Sequence, residues 1–155
     1  CIYMDIENHI KSNQTLKLHK KALINLLITS QYVNDRINAI LKTFGLTTPQ
    51  FNVLRILKGQ KGQPANLSTI QDRMISKMSN TTRIVDKLIE KGLVSRQICK
   101  DNRRKIEIFI TDNGHQLLDQ VNPHFEKEER LMTSQLNENE LKEFNNHLNK
   151  IRINE

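Results

Sequence analysis

The sequence has little cysteine, proline and glycine and no long apolar run, and these shortages exclude several classes of protein. Two cysteines in 155 residues cannot form a disulfide framework. No apolar run approaches the ~18–20 residues that cross a bilayer, so we expect no membrane-spanning segment and no membrane partner. Residues 1–11 are polar and lack the apolar core of a secretory signal, which favours a cytoplasmic protein. Five glycines and three prolines favour long helices with short connections.

The positive charge of the chain is concentrated in its central third. The formal net charge is +7. Residues 73–105 contain ten basic and three acidic side chains, whereas the two flanking segments carry +5 and −5 and cancel each other. A basic block of this kind is typical of a protein with a polyanion partner, because lysine and arginine that neutralise phosphates release condensed counterions. The alternative is a solvated surface face, and charge alone does not decide between the two.

A long first helix predicts association between two chains. From about Thr15 to Phe44 there is no glycine or proline, and apolar residues recur at three- and four-residue spacing until Gly45 ends the segment. A helix over residues 15–44 would be a rod of ~45 Å, whereas a globule of this size is about 40 Å across. We therefore expect the helix to extend beyond its own domain and to bury its apolar stripe against a second copy of the chain.

Capping residues mark the starts of the next two helices. Thr47 and Gln50 have the spacing of a capping box, with Pro49 in the first turn, where no amide donor is needed. Ser68 and Gln71 repeat this spacing and predict a short helix through position 74. The polar residues 58–64 between the two helices predict a loop.

The following segment, about Lys77 to Lys91, predicts a helix with one apolar and one polar face. Positions 78, 81, 84, 85 and 88 are expected to face inward. A major groove admits one helix, and the polar face offers donors and acceptors suited to bases and phosphates. Arg83 suits a bidentate contact with guanine, and Asn80 suits one with adenine. The candidate groove-reading residues are Ser79, Asn80, Arg83 and Lys87.

Two short segments separated by a cationic loop follow this helix. Residues 93–98 and 106–110 predict the strands of a hairpin. Cations in the loop suit phosphates and the negative potential of a narrow minor groove; they are Lys100, Arg103, Arg104 and Lys105. Asp101 is expected to pair with Arg103 or Arg96 and to fix the shape of the loop, although an exposed pair adds only ~0–1 kcal/mol of stability. A short helix, a turn, a polar-faced helix and a basic hairpin predict a winged helix-turn-helix.

Two further helices complete the predicted fold. Thr111 is expected to cap a long helix, in which Pro123 removes one hydrogen bond and predicts a kink. Asn137, with Glu140 three residues later, marks the start of the last helix. The pattern as a whole predicts a mainly α fold of six helices with one small β-hairpin.

Four motifs in register resemble the MarR-type transcriptional regulators. They are LTTPQFNVL at 46–54, IVDKLIEKGLVSR at 84–96, DNRR at 101–104 and ITDNG at 110–114. Their order and spacing agree from about residue 16 to the C-terminus, so the resemblance covers nearly the whole chain. The chain departs from the family pattern at Ile70-Gln71, where Leu-Ala is common, and at Asn102, where a second basic residue is common.

The resemblance implies a division of the chain into three parts. Residues 1–45 would form an N-terminal dimerisation helix, residues 46–111 the winged helix-turn-helix DNA-binding domain, and residues 112–155 the C-terminal dimerisation helices. It also implies a homodimer that binds a pseudo-palindromic operator in double-stranded DNA, usually to repress transcription. Half-sites in such an operator lie about 10 bp apart.

Many members of the family bind small aromatic anions in a crevice between the dimerisation helices and the winged domain. The resemblance makes Tyr32, Arg36 and His115 candidates for lining such an effector site, although a surface or core role is the more common one for each. The five histidines are scattered and no HxxxH or CxxC spacing occurs, so no metal site and no other cofactor are expected. Cys99 is expected to be an incidental thiol rather than a redox sensor.

Enzymatic activity is not expected. No segment resembles a phosphate-cradling glycine loop, a nucleophile elbow or a pair of carboxylates placed for acid–base chemistry, so no catalytic residue is assigned. The remaining alternative is a winged helix that serves only as a protein-interaction module, without specific DNA binding. Such a module would not need ten basic residues in residues 73–105. A dimeric, sequence-specific DNA-binding regulator is therefore the favoured interpretation.

Overall fold

The structure of the chain is a computed structural model that describes residues 5–99, 102 and 105–153. The described residues form seven helices and one antiparallel hairpin. They are, in order, α1 (Ile6–His9), α2 (Leu18–Thr43), α3 (Thr48–Gly59), α4 (Leu67–Arg73), α5 (Thr81–Glu90), β1 (Val94–Ile98), β2 (Ile106–Ile110), α6 (Asp112–Met132) and α7 (Glu138–Ile151). The predicted mainly α fold with a small hairpin is confirmed, and the additional helix is the short α1.

The long first helix is slightly shorter than the predicted span of 15–44. α2 has 26 residues, and Gly45 follows it at φ 66°, a left-handed conformation that glycine adopts without strain. Leu41, near its C-terminal end, is fully buried, whereas Leu23 and Leu27 are exposed. The N-terminal half of α2 therefore leaves its apolar stripe uncovered in the single chain.

Two helix starts near the centre of the chain illustrate how caps are chosen. The capping box at α3 is confirmed, because Thr47 Oγ1 accepts from Gln50 N and Gln50 Oε1 accepts from Thr47 N at 3.1 Å. The predicted cap of α4 at Ser68 is wrong. Asn66 caps that helix instead, since its Oδ1 accepts from Thr69 N at 2.7 Å. Asn66 has extended backbone directly before the helix, so its side chain can accept from the free amides of the first turn, whereas Ser68 already lies within that turn.

α5 begins later than the predicted start at about Lys77. Ser79 N donates to Ser76 O at 3.3 Å, which closes a turn over residues 76–79, and Asn80 then caps the helix. The predicted inward orientation of Met78 is wrong, because this residue precedes the helix and is 96% exposed. Within the helix, positions 81, 85 and 88 are buried as predicted.

The hairpin and the helices around it enclose one core. β1 pairs antiparallel with β2, with Val94 opposite Ile110 and Ile98 opposite Ile106. Ala65 adds an isolated bridge to Ile108, which ties the loop before α4 to the hairpin. The largest fully buried side chains come from α2 to α6 and β2 and are Leu41, Val53, Leu54, Leu57, Ile70, Leu88, Ile108, Leu118 and Val121.

α6 joins this winged domain to the terminal helices. Thr111 caps it as predicted, with Oγ1 accepting from Gly114 N at 3.1 Å. A Cβ at Gly114 would lie 2.7 Å from Ile110 Cγ1 and would collide with the backbone oxygen of Leu93, so only glycine fits this close approach. α6 continues through Pro123 as one helix, and the kink at that residue stays a prediction.

α7 lies beside the N-terminal half of α2, with which it lines a small cleft. Its start carries the predicted capping box, with Asn137 N donating to Glu140 Oε2 at 2.7 Å. None of its 14 residues is buried, and Phe144 and Ile151 are exposed apolar side chains. No helix among the described residues combines the length and the apolar character needed to cross a bilayer.

Candidate nucleic-acid interface

Asn80 holds the N-terminus of α5. Its Oδ1 accepts from Arg83 N at 3.1 Å, which satisfies one of the free amides of the first helical turn. Asn80 is exposed, as predicted, but it precedes the first turn as the N-cap and does not lie within the helix. A bidentate contact with adenine would use the side-chain oxygen as well as the NH₂ group. In Asn80 that oxygen already serves the cap.

The other predicted groove-reading residues surround this helix start. Arg83 and Lys87 are exposed on α5, and Ser79 is half-buried in the preceding turn. Lys87 Nζ lies 2.7 Å from Glu90 Oε2, an exposed pair that partly compensates its charge. Thr82 is also exposed. The sequence analysis did not select it, because its position in the first turn becomes evident only when the helix start is known.

The turn before α5 is fixed from two sides. On one side, Gln71 Nε2 donates to Lys77 O at 2.6 Å, and Gln71 Oε1 accepts from Thr81 Oγ1. On the other side, Asn52 Oδ1 accepts from Ile75 N at 2.9 Å. Gln71, one of the departures from the family pattern, therefore connects α4 with both the turn and the first residue of α5. These bonds hold the turn in one place relative to the core.

The described part of the wing is its base. Cys99 N donates to Lys105 O at 2.9 Å, and Lys105 N donates to Asn102 O at 2.9 Å. Lys105 is exposed, as expected for a cation that contacts a phosphate. The other predicted wing residues, Lys100, Asp101, Arg103 and Arg104, lie outside the described residues.

An ion pair connects β1 with α5, which is the recognition helix of the helix-turn-helix formed with α4. Arg96 NH1 lies 3.1 Å from Asp86 Oδ1, on the face of α5 next to Arg83. Sequence analysis assigned Arg96 to shaping the wing through Asp101; the partner that the structure describes is Asp86. Both side chains are about half exposed, so the pair positions the strand rather than adding much stability.

The three predicted effector residues do not form one site. Arg36 binds Glu128 on α6, and this hydrogen bond raises the pKa of its guanidinium above the ordinary value. Tyr32 lies one turn earlier on α2 and is exposed. His115 is in the first turn of α6, 13 residues before Glu128, which corresponds to ~20 Å along a helix. His115 is therefore too far away to share a small ligand with Arg36.

A cleft of about 430 Å³ does lie between the long helix and the winged domain. Its apolar walls come from α2, α3 and α6, and Arg55 lies over the rings of Phe51 and Phe125, 5.7 and 6.0 Å from their centroids. The lining residues are Asn34, Ile37, Thr48, Phe51, Asn52, Arg55, Ile56, Ile75 and Phe125. Sequence analysis missed Arg55, because its aromatic neighbours belong to different helices.

The described residues provide no arrangement for a metal ion. No group of three or more His, Cys, Asp or Glu side chains within them could hold one. The histidines are distributed over α1, α2, α6 and α7. Cys99 is a half-buried free thiol at the base of the wing.

Comparison with known proteins assigns the chain to a family. The MarR family model matches residues 46–106, from the start of α3 to the start of β2. The HTH-type transcriptional regulator MhqR of Bacillus subtilis (strain 168) is 31% identical over 134 residues, which are 86% of this chain and 91% of that protein. The chain belongs to the MarR family.

Two further similarities agree with this assignment. The transcriptional repressor MprA of Escherichia coli (strain K12) is 30% identical over 86 residues, 56% of this chain and 49% of that protein. The crystal structure of an organohalide-sensing regulator bound to 2,4-dichlorophenol has a TM-score of 0.79 at 20% identity and shares its fold over 89% of this chain and 81% of that one. Members of the MarR family are DNA-binding transcriptional regulators without enzymatic activity, which confirms the prediction that this chain is not an enzyme.

The capping role of Asn80 leads to a first prediction, which separates capping from base reading. Asn80→Ser keeps a side-chain acceptor at the N-cap, and we expect unfolding stability and DNA affinity to stay near those of the wild type. Asn80→Ala removes the acceptor and should lower the free energy of unfolding by about 1 kcal/mol. Urea denaturation of both variants at one protein concentration measures this difference. If Asn80→Ser bound DNA as poorly as Asn80→Ala, the residue would have a base-reading role that capping does not explain.

Proposed function

We propose that this chain is a sequence-specific DNA-binding transcriptional repressor that acts as a homodimer. The observation that carries the proposal is the ion pair between Arg96 and Asp86, which joins the wing strand to the recognition helix. Through this pair, the exposed Arg83 on α5 is linked to β1, the strand that leads into the cationic loop of the sequence. A helix in the major groove with a basic hairpin beside it is the docking geometry that this arrangement fits.

The contacts fall into two groups with different physical roles. Arg83, at the N-terminal end of α5, is proposed to contact base edges, together with Ser79 and Thr82. Lys87 and Lys105 are exposed and are proposed to bind phosphates, as are Lys100, Arg103 and Arg104 on the sequence evidence alone. Phosphate contacts set affinity and position, whereas base contacts set the sequence preference.

The second prediction tests DNA reading by removing one charge from the proposed interface. The preferred duplex is first selected from random DNA with the purified protein. Arg83→Ala should then weaken binding to it by about 1–3 kcal/mol and relax the preference at one base pair per half-site. Fluorescence anisotropy at fixed salt measures the affinity.

A matched control removes the same charge elsewhere. Arg130 lies in the last turn of α6, where its ion-pair partner is Glu126 at 3.8 Å. Arg130→Ala should bind the selected duplex like the wild type. Equal losses in the two variants would mean that only net charge matters. A selection that enriched no sequence would favour the alternative, a winged-helix module that binds protein partners.

Uncovered apolar surface supports the homodimer. α7 has 14 residues and none of them is buried, yet isolated helices shorter than ~12–15 residues are marginal in water. On α2, Leu18 is 83% and Leu27 is 69% exposed. A second copy that covers these faces would stabilise the terminal helices, since each large apolar side chain contributes ~1.5–3 kcal/mol when buried. Such a dimer would present two reading surfaces to a pseudo-palindromic operator, with half-sites about 10 bp apart.

The third prediction concerns this assembly. Leu27→Glu combined with Phe144→Glu places two charges in the proposed interface, and the variant should sediment as a monomer at concentrations where the wild type is a dimer. Glu143→Ala, which changes an exposed polar residue of α7, is the control and should leave the dimer intact. A charged double variant that remained dimeric in sedimentation velocity experiments would contradict the proposed interface.

A small aromatic effector is proposed to bind in the cleft between α2, α3 and α6. The cleft combines apolar walls with the guanidinium of Arg55, which suits an aromatic ring that carries an anionic group. The solved structure of the organohalide-sensing regulator contains 2,4-dichlorophenol. This ligand supports the proposal that the present chain also binds an aromatic molecule. Binding there would release the repressor from DNA.

The fourth prediction tests the role of Arg55 with two probes. Arg55→Met keeps apolar volume but removes the charge, so benzoate binding should weaken about tenfold or more, because a charge-assisted hydrogen bond contributes ~1.5–3 kcal/mol. Binding of 2,4-dichlorophenol should change by less than about threefold if apolar burial dominates. Isothermal titration calorimetry measures both, with Arg130→Ala as the control. Equal binding of benzoate to wild type and Arg55→Met would contradict the assignment.

A further inference from the structure

Met78 is a large apolar side chain exposed in the middle of a polar surface. It is 96% exposed, more than any other large apolar residue among those the structure describes. Its neighbours in the chain are Lys77 and Ser79, and Arg83 follows one turn into α5. An exposed methionine forgoes the ~1.5–3 kcal/mol that its burial would contribute. A partner that covered Met78 would gain this contribution on binding.

The backbone that carries Met78 is held in place. The turn over residues 76–79 is closed by the hydrogen bond from Ser79 N to Ser76 O. Gln71 binds the carbonyl of Lys77 directly before Met78, at 2.6 Å. Asn52 fixes the backbone at Ile75, just before the turn. Met78 therefore projects from a fixed point at the N-terminal end of the recognition helix.

The surroundings of Met78 decide which partner fits. Lys77, Arg83 and the free amides of the first turn of α5 make this end of the helix positive, so the partner is expected to be anionic. An apolar contact within an anionic partner is provided by the 5-methyl group of thymine, which lies on the edge of an A·T pair in the major groove. Ile75, also 85% exposed, lines the cleft beside Phe51.

We propose that Met78 packs against a thymine 5-methyl group in each half-site and so helps to determine the sequence that the protein prefers. This inference rests on the proposed DNA-binding function. Its distinctive consequence is that Met78 recognises a single methyl group, which can be removed from the DNA without changing base pairing. Deoxyuridine differs from thymidine by this methyl alone.

The experiment combines a change in the protein with a change in the DNA. Each thymine of the selected duplex is replaced in turn, symmetrically in both half-sites, by deoxyuridine. For the wild type, one replacement should weaken binding about four- to fifteenfold, the range of one or two buried methyl contacts in the dimer. Met78→Ala should bind the thymine duplex more weakly by a similar factor. It should lose little more on the deoxyuridine duplex, because the two changes remove the same contact.

Two further variants test whether sensitivity to the methyl group depends on the side chain at position 78. Met78→Leu retains an apolar side chain and should keep sensitivity to the methyl group. Leu131→Ala, at an exposed apolar residue of α6 far along the chain from this turn, should leave this sensitivity unchanged. Circular dichroism and thermal unfolding should show that all three variants fold, since neither side chain is buried.

The outcomes distinguish this inference from the function on which it rests. If the wild type binds a selected duplex but tolerates deoxyuridine at every position, or if that duplex has no thymine in its half-sites, the Met78 assignment is overturned and DNA reading stands. The same conclusion follows if Met78→Ala keeps the full sensitivity to deoxyuridine. If no duplex is preferred over random DNA, the proposed function itself fails.

Discussion

The attachment of α6 to the end of the recognition helix is the constraint on which the rest of the structure depends. Thr111 N donates to Leu93 O at 3.1 Å, and Thr111 Oγ1 donates to Gly92 O at 2.8 Å. Gly114 packs so closely on the carbonyl of Leu93 that no side chain fits between them. The end of α5, the first strand of the wing and the start of α6 are thereby one rigid junction. Because α6 then pairs with α2 through Arg36 and Glu128, the orientation of the reading surface is set by the helices that leave the winged domain.

A second connection reaches the reading surface from the cleft. Asn52 and Ile75 both line the cleft, and the hydrogen bond between them fixes the turn that precedes α5. An aromatic ligand that displaces Ile75, or that binds the side-chain amide of Asn52 in its place, would therefore act directly on the segment that carries Met78. Gln71 holds the other side of the same turn. Under the proposed function, release from DNA by an effector thus needs no long pathway, because two residues of the cleft, Asn52 and Ile75, fix the turn that carries Met78.

The sequence alone predicted the features that depend on local signals. Thr47, Thr111 and Asn137 are caps within recognisable patterns, and the strands follow from alternation between turn residues. Sequence analysis was less successful where several neighbouring polar residues could each serve as the N-cap of a helix. Asn66 and Asn80 proved to be the caps where Ser68 and a helix start near Lys77 were predicted, and the error at α5 also misplaced Met78. Sequence analysis could not predict features that depend on the distance between residues in different helices. The separation of His115 from Arg36 and the position of Arg55 over two rings follow from how α2, α3 and α6 pack.

The residues of the reading surface differ in how strongly they are tied to the fold. Gly114 and Asn80 serve the junction and the helix cap, so their replacement changes stability together with any DNA contact. Met78 is almost fully exposed and contributes little to the core, while its backbone position is fixed by hydrogen bonds to neighbouring residues. A side chain at such a position can change without cost to folding. The fold therefore leaves position 78 free to vary with the DNA sequence that is recognised, which is what a determinant of specificity requires.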